Sequence, residues 1–183
     1  VSCGRIPSPA VALFGLQHRI PAIMVTGSHI PDDRNGIKFN QPSGEILKED
    51  EQGIARLVLE LDESQFDSAG AFVRPPATAR QDSPDAGESY IGRYLDFFER
   101  EALEGLRIGV YQHSAVGRDL LVRILSGLGA QTVPLGRSDI FIPVDTEAIR
   151  PEDIELARQW ARQGRFDAIV SADGDSDRPL VSD

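Results

Sequence analysis

A chain of 183 residues, 40% hydrophobic and 26% charged, has ordinary globular composition and is long enough to bury a core in one or two domains. A formal net charge of -10 leaves no basic footprint for nucleic acid, and apolar runs such as 168–170 are far too short to span a bilayer. The single Cys3 excludes an internal disulfide framework and a cysteine-based zinc site, and no signal-peptide pattern is present, so a cytoplasmic soluble protein is the default expectation.

In chain order, Ser8-Pro9 reads as an N-cap followed by the first helical position, with Ala10, Val11, Leu13 and Phe14 giving a short apolar helix. Pro21 precedes a strand over 22–26, read as buried, and residues 27–36 form a loop. Segments 37–40 and 45–47 predict a hairpin around Pro42-Ser43-Gly44. Ile54, Leu57, Val58 and Leu61 then fall at helical spacing. Residues 62–86 are rich in Ser, Asp, Pro, Ala and Gly and mark the domain boundary, although 71–73 can still pair as a strand.

Beyond the boundary an α/β alternation begins. Ile91, Tyr94, Leu95 and Phe98 line one face of a helix, and 106–111 is an apolar strand. The turn 113–117 leads to a helix carrying Leu120, Leu121, Ile124 and Leu125, which Gly127 and Gly129 can close. A short strand at 132–135, a helix opened by Pro151 and a strand at 166–172 follow, ending in the loop 173–178. This order predicts an α/β fold with mixed or parallel sheets sandwiched by helices. In such sheets ligands sit beyond the carboxyl ends of the strands, where the loops 27–36 and 173–178 both fall. The sequence begins at Val and closes on an incipient apolar strand at 179–183, so both ends read as cut from a longer protein.

The loop Asp173-Gly-Asp-Ser-Asp-Arg places carboxylates at alternate positions, which point to one side in an extended backbone. Like charges at that spacing repel unless a cation sits among them, and carboxylate oxygens suit Mg²⁺ or Ca²⁺. An EF-hand would need Gly at the sixth position, which is Arg178. The alternative is a solvated acidic turn. In the other loop Ser28 is either a nucleophile or phosphoryl carrier at a turn eased by Gly27, or a polar loop residue bonding its own backbone. His29 and Lys38 are either general acid-base groups or surface residues. His113-Ser114 offers either an anion contact at a helix entrance or a plain turn.

Taken together, the two loops resemble those of the α-D-phosphohexomutases. TGSHIPDDRNGIKF, residues 26–39, is similar to that family's Thr-Ala-Ser-His-Asn-Pro…Asn-Gly-Ile-Lys active-site serine loop, and DGDSDR, residues 173–178, to its Asp-Gly-Asp-x-Asp-Arg metal loop. Arg5-Ile-Pro-Ser-Pro resembles a family segment ending in Thr-Pro, and the nearest subgroup is the bacterial phosphomannomutases. Gly27 and Ile30 depart from the commoner Ala and Asn.

The resemblance implies two phosphohexomutase-type α/β domains, both incomplete: 1–70 as the later part of the first, 71–86 as linker and 87–183 as the second. It implies a phosphoserine at Ser28, Mg²⁺ held by Ser28, Asp173, Asp175 and Asp177, and His29, Lys38 and Arg178 as catalytic partners. The implied reaction interconverts hexose 6-phosphate and hexose 1-phosphate through a bisphosphate, with mannose or glucose phosphate as substrate. Phosphoglucomutase and phosphoglucosamine mutase are the alternative activities. The sugar-gripping third and fourth domains of the same enzyme are the implied partners, so this chain is expected to be inactive alone. Two other classes remain: a non-catalytic Mg²⁺- or phosphate-binding fragment, and a metal-dependent phosphatase with a carboxylate nucleophile.

Overall fold

Seven strands and five helices alternate along the chain in a computed structural model that describes residues 1–28, 34–74 and 82–182. The strands form two sheets. In the first, β1 (Ala22–Thr26), β2 (Gly36–Gln41) and β3 (Gly44–Glu45) run antiparallel in that order, and Pro42-Ser43 is a two-residue hairpin loop between paired Gln41 and Gly44. The second has the order β5 (Gln131–Arg137), β4 (Arg107–His113), β6 (Ala168–Ala172), β7 (Pro179–Ser182). Its first three strands are parallel and β7 returns antiparallel to β6, so the sheet is mixed.

Strand periodicity decides which helix covers which face of the second sheet. Ile108 and Val110 of β4 point to one side and pack with Leu121, Val122 and Leu125 of α4 (Arg118–Gly127). Tyr111 and Ile169 join Leu156, Ala157 and Trp160 of α5 (Pro151–Gly164) in a separate cluster. The sheet is therefore buried between two helices, as an apolar parallel sheet requires.

The first sheet is treated differently. Ala22 and Met24 pack against α1 (Ser8–His18), whose Ala10, Val11 and Phe14 join Tyr90 and Ile91 of α3 (Asp85–Phe97) and Ile124 of α4 in one core. That core ties the first sheet to the second. The opposite face of β1 and β2 carries Ile23, Val25 and Ile37, all exposed. The apolar run at 22–26 is thus half-buried at alternate positions and exposed at the others, not buried throughout.

Several local expectations are corrected. α1 begins at its apparent cap, one residue earlier than expected: Pro7 is the N-cap and Ser8 the first helical residue, with no side-chain cap. The helix expected from Ile54, Leu57, Val58 and Leu61 stops early, with α2 spanning Lys48–Ala55. Leu57 to Leu61 are exposed, Val58 to 90%, and an apolar stripe without a packing partner does not sustain a helix. Leu47 caps α2 instead of extending β3. The possible strand at 71–73 is only a bridge between Phe66 and Phe72, whose rings lie 4.8 Å apart. α3 starts at Asp85, inside the stretch read as linker.

Candidate active site

Three strand ends converge: β1 runs into Ser28, β6 into Asp173, and β4 into the turn 113–117. Ser28 sits at the end of an exposed-edged strand in a left-handed conformation, φ 46°, which L residues adopt at a cost. Its N–H donates to Thr26 Oγ1 at 2.9 Å, holding the bend. The left-handed turn is thus taken by the serine itself. Its hydroxyl donates to Asp173 Oδ2 at 2.7 Å, across 145 positions of sequence.

Asp173, Asp175 and Asp177 come together, with a set of their carboxylate oxygens, one from each, within 4.8 Å of one another. They converge through a turn, not through the pleat of an extended strand. Ser176 is left-handed, φ 60°, Ser176 N–H donates to Asp173 O, and Asp173 N–H donates to Arg178 O. Asp173 is fully buried, and its Oδ1 accepts the N–H groups of Asp177 and Arg178 at 3.1 and 3.2 Å. The loop is also clamped from the β4 side: Val116 N–H donates to Gly174 O and Gly117 N–H to Ser176 Oγ, each at 2.9 Å.

Two cations contact these three acids. Lys38 Nζ donates to Asp175 Oδ2 and Asp177 Oδ2, both at 2.7 Å. Arg178 reaches Asp173 Oδ2 at 3.0 Å, Ser28 Oγ at 3.2 Å and Glu147 at 3.3 Å. Burial disfavours the Asp175 charge, but hydrogen bonds from Lys38 and Ser8 help to outweigh it and pull the carboxyl down to about 2. Partial burial likewise opposes the Lys38 charge, and its bonds to Asp175 and Asp177 overcome that, raising its pKa. Lys38 is therefore an ammonium at neutral pH.

Ser28, Lys38, Arg178 and the three aspartates thus meet in one place, whereas His29 lies outside the described residues. His113 is no anion contact. It is wholly buried, and its Nε2–H donates to Ala172 O at 2.7 Å, next to the acid loop. Burial lowers its pKa and keeps it neutral.

Sequence reasoning missed three residues here. Ser8, read as a cap, donates its hydroxyl to Asp175 Oδ2. Glu147 braces Arg178. Gly174 has a role of clearance: a Cβ there would lie 2.2 Å from Ser28 O. Only Gly174 carried a signal, as a glycine between two acids, and it reads equally as turn chemistry.

The residues fit a hard divalent cation. Three carboxylates supply the donor type, and Asp175 Oδ1 is buried with no hydrogen-bond partner among the described residues. The acid loop borders two openings. One is a groove of about 1400 Å³ running along β1 to Gly174 and Asp175. The other, about 440 Å³, is lined by Ser8, Lys38 and Asp177. A hydroxyl beside buried carboxylates, flanked by an ammonium and a guanidinium, suits the handling of a phosphoryl group, whose charge needs cations on several sides.

Comparison with known proteins supplies the family to which this mixed α/β frame and acid loop belong. The family model described as phosphoglucomutase/phosphomannomutase, alpha/beta/alpha domain II, matches residues 88–183, and the one for domain I matches residues 1–65. The chain belongs to the phosphoglucomutase/phosphomannomutase family.

It is 49% identical over 185 residues to a phosphomannomutase of Sinorhizobium fredii, covering 100% of this chain and 38% of that relative. Identity is 46% over 180 residues to a phosphomannomutase of Salmonella muenchen, covering 98% of this chain and 35% of that one. A phosphoglucosamine mutase of Granulibacter bethesdensis is 30% identical, over 98% of this chain and 39% of its own length. The crystal structure of a phosphoglucomutase/phosphomannomutase family protein from Burkholderia thailandensis shares the fold, with TM-score 0.67 and 21% identity, over 96% of this chain and 38% of that one. The chain therefore spans little more than a third of the length of these relatives. Among the described residues no helix is long and apolar enough to cross a membrane.

Proposed function

We propose that this chain is the phosphoryl-carrying and metal-binding portion of a cytoplasmic phosphohexomutase, with mannose phosphate as its substrate. The observation that carries the reading is the 2.7 Å contact between Ser28 Oγ and Asp173 Oδ2, which joins the serine loop to the acid loop. Mannose is favoured over glucosamine because the relatives named phosphomannomutase are 46% and 49% identical, against 30% for the phosphoglucosamine mutase. Residues 1–70 are assigned to a first domain and 87–183 to a second, joined through 71–86.

In this reading Ser28 carries the phosphoryl group. A free hydroxyl of the hexose monophosphate attacks phosphorus. The P–O bond to Ser28 breaks as the P–O bond to the sugar forms, the sugar hydroxyl loses its proton to a base, and the departing Ser28 Oγ takes up a proton to become the hydroxyl. The bisphosphate turns over, and its other phosphate returns to Ser28 Oγ, releasing the isomerised monophosphate. Lys38, charged and bonded to two carboxylates, acts as a cation and not as the base, so His29 takes the proton. Arg178, within 3.2 Å of Ser28 Oγ, stabilises charge on the phosphoryl oxygens. When Ser28 is free, its bond to Asp173 holds Oγ at the acid loop for the return step. Asp173, Asp175, Asp177 and Ser28 would hold Mg²⁺, which would supply charge neutralisation and polarisation of the phosphoryl oxygens. The remaining length of the relatives supplies the groups that grip the sugar and its far phosphate, so this chain alone binds Mg²⁺ without turning over sugar at an enzymatic rate.

The test is peptide mass analysis of the full-length enzyme after incubation with hexose bisphosphate, beside a coupled mutase assay. Phosphate on Ser28 and loss of turnover in Ser28→Ala are expected. Normal turnover by that variant refutes the carrier role.

A further inference from the structure

We propose that Ser8, the first residue of α1, is a positioning residue that sets the orientation of Asp175 as a metal ligand; the proposal rests on the Mg²⁺ reading above. Capping an N-terminal N–H is the task of the N-cap residue, which here is Pro7, so the hydroxyl of Ser8 at the first helical position is available for a longer-range contact. That hydroxyl donates to Asp175 Oδ2 at 2.5 Å, and the Ser8 N–H donates to Asp175 O at 2.9 Å, so one residue grips another 167 positions away by both backbone and side chain.

The geometry explains why the grip matters. Both Ser8 and Asp175 are buried, and the Asp175 side chain is only 1% exposed. Ser8 Oγ and Lys38 Nζ both use Oδ2, leaving Oδ1 without a partner among the described residues. Lys38 is a long side chain, 43% exposed, and fixes the carboxylate loosely. Ser8 is short and mounted on a helix whose Ala10, Val11 and Phe14 lie in the shared core. It therefore fixes the carboxylate plane and keeps Oδ1 the free oxygen. The partial positive charge of a helix N-terminus at Asp175 acts in the same direction. Outer hydrogen bonds of this kind tune metal affinity about 10–100-fold in known sites. A consequence follows for the molecule as a whole: the affinity of the acid loop for a cation depends on where α1 is packed.

The test is Mn²⁺ binding to the 183-residue chain, followed by loss of the free-ion electron paramagnetic resonance signal, with thermal melting in metal-free buffer alongside. Ser8→Ala keeps the backbone N–H and removes only the hydroxyl. It is expected to weaken Mn²⁺ about 10-fold or more, within the range of outer-ligand substitutions. Ser8→Thr, which restores a hydroxyl, is expected to recover most of that affinity. If Ser8 only anchors α1, Ser8→Ala lowers the melting temperature and leaves the Kd unchanged, and that result overturns the proposal. Equal loss in Ser8→Thr and Ser8→Ala overturns it as well. If the unmutated chain does not bind Mn²⁺, the metal reading itself fails and takes this proposal with it.

Discussion

The two sheets are built from similar apolar strands and are held in unlike ways. β4 and β6 lie between α4 and α5, and Val110 is wholly buried. β1 and β2 are covered by α1 on one face only, and Val25 is 60% exposed on the other. The acid loop grows from the first kind of mount and the serine from the second. The difference teaches where precision comes from. Backbone and side-chain bonds from 113–117 fix the acid loop within its own sheet, whereas Ser28 meets that loop through direct side-chain contacts to Asp173 and Arg178.

The largest expected effect comes from pushing the two mounts apart. Gly174→Ala places a methyl 2.2 Å from Ser28 O, where only backbone movement relieves the clash. It should cost about 1–3 kcal/mol of stability in urea melts and abolish measurable Mg²⁺ binding by calorimetry. Unchanged binding would show that the close approach is dispensable. Next, the same substitution in each sheet measures the contrast directly. Val110→Ala should cost about 2 kcal/mol, because two buried methyls and a cavity are involved. Val25→Ala should stay within about 0.5 kcal/mol. Equal losses would mean that the exposed face of β1 is covered in solution.

A smaller effect concerns pH. The Asp175 carboxyl is held at about 2, below its ordinary 3.8. Its ionisation therefore contributes stability that is full above the ordinary value and is lost as the pH falls through about 2. Melting temperature should drop between those limits, and Asp175→Asn should flatten that part of the curve. Smallest of all, Val58→Thr on the uncovered stripe after α2 should leave the melting temperature nearly unchanged.

Much of the frame was legible in the sequence because periodicity and turn chemistry are local. The alternation of strands and helices after residue 85, and the hairpin at Pro42-Ser43, follow from patterns a few residues long. The stripe Ile54, Leu57, Val58, Leu61 misled for the same reason: helical spacing shows which face an apolar helix would bury but not whether anything lies opposite it. Ser28 and Asp173 could be singled out by residue type and loop position. Their meeting is a long-range contact that no local pattern encodes, and the family resemblance supplied the pairing. Ser8 was beyond reach for a physical reason. Its residue type suits a helix cap, and its contact with Asp175 exists only once α1 is packed.

The central claim is that serine loop and acid loop form one cation site. Titration of Mg²⁺ into the ¹⁵N-labelled chain, followed by amide resonances, tests it most directly. The account predicts that Ser28 shifts together with Asp173, Asp175 and Asp177 along a single binding curve. Shifts confined to the acid loop with Ser28 unmoved, or no shift in either, would contradict it.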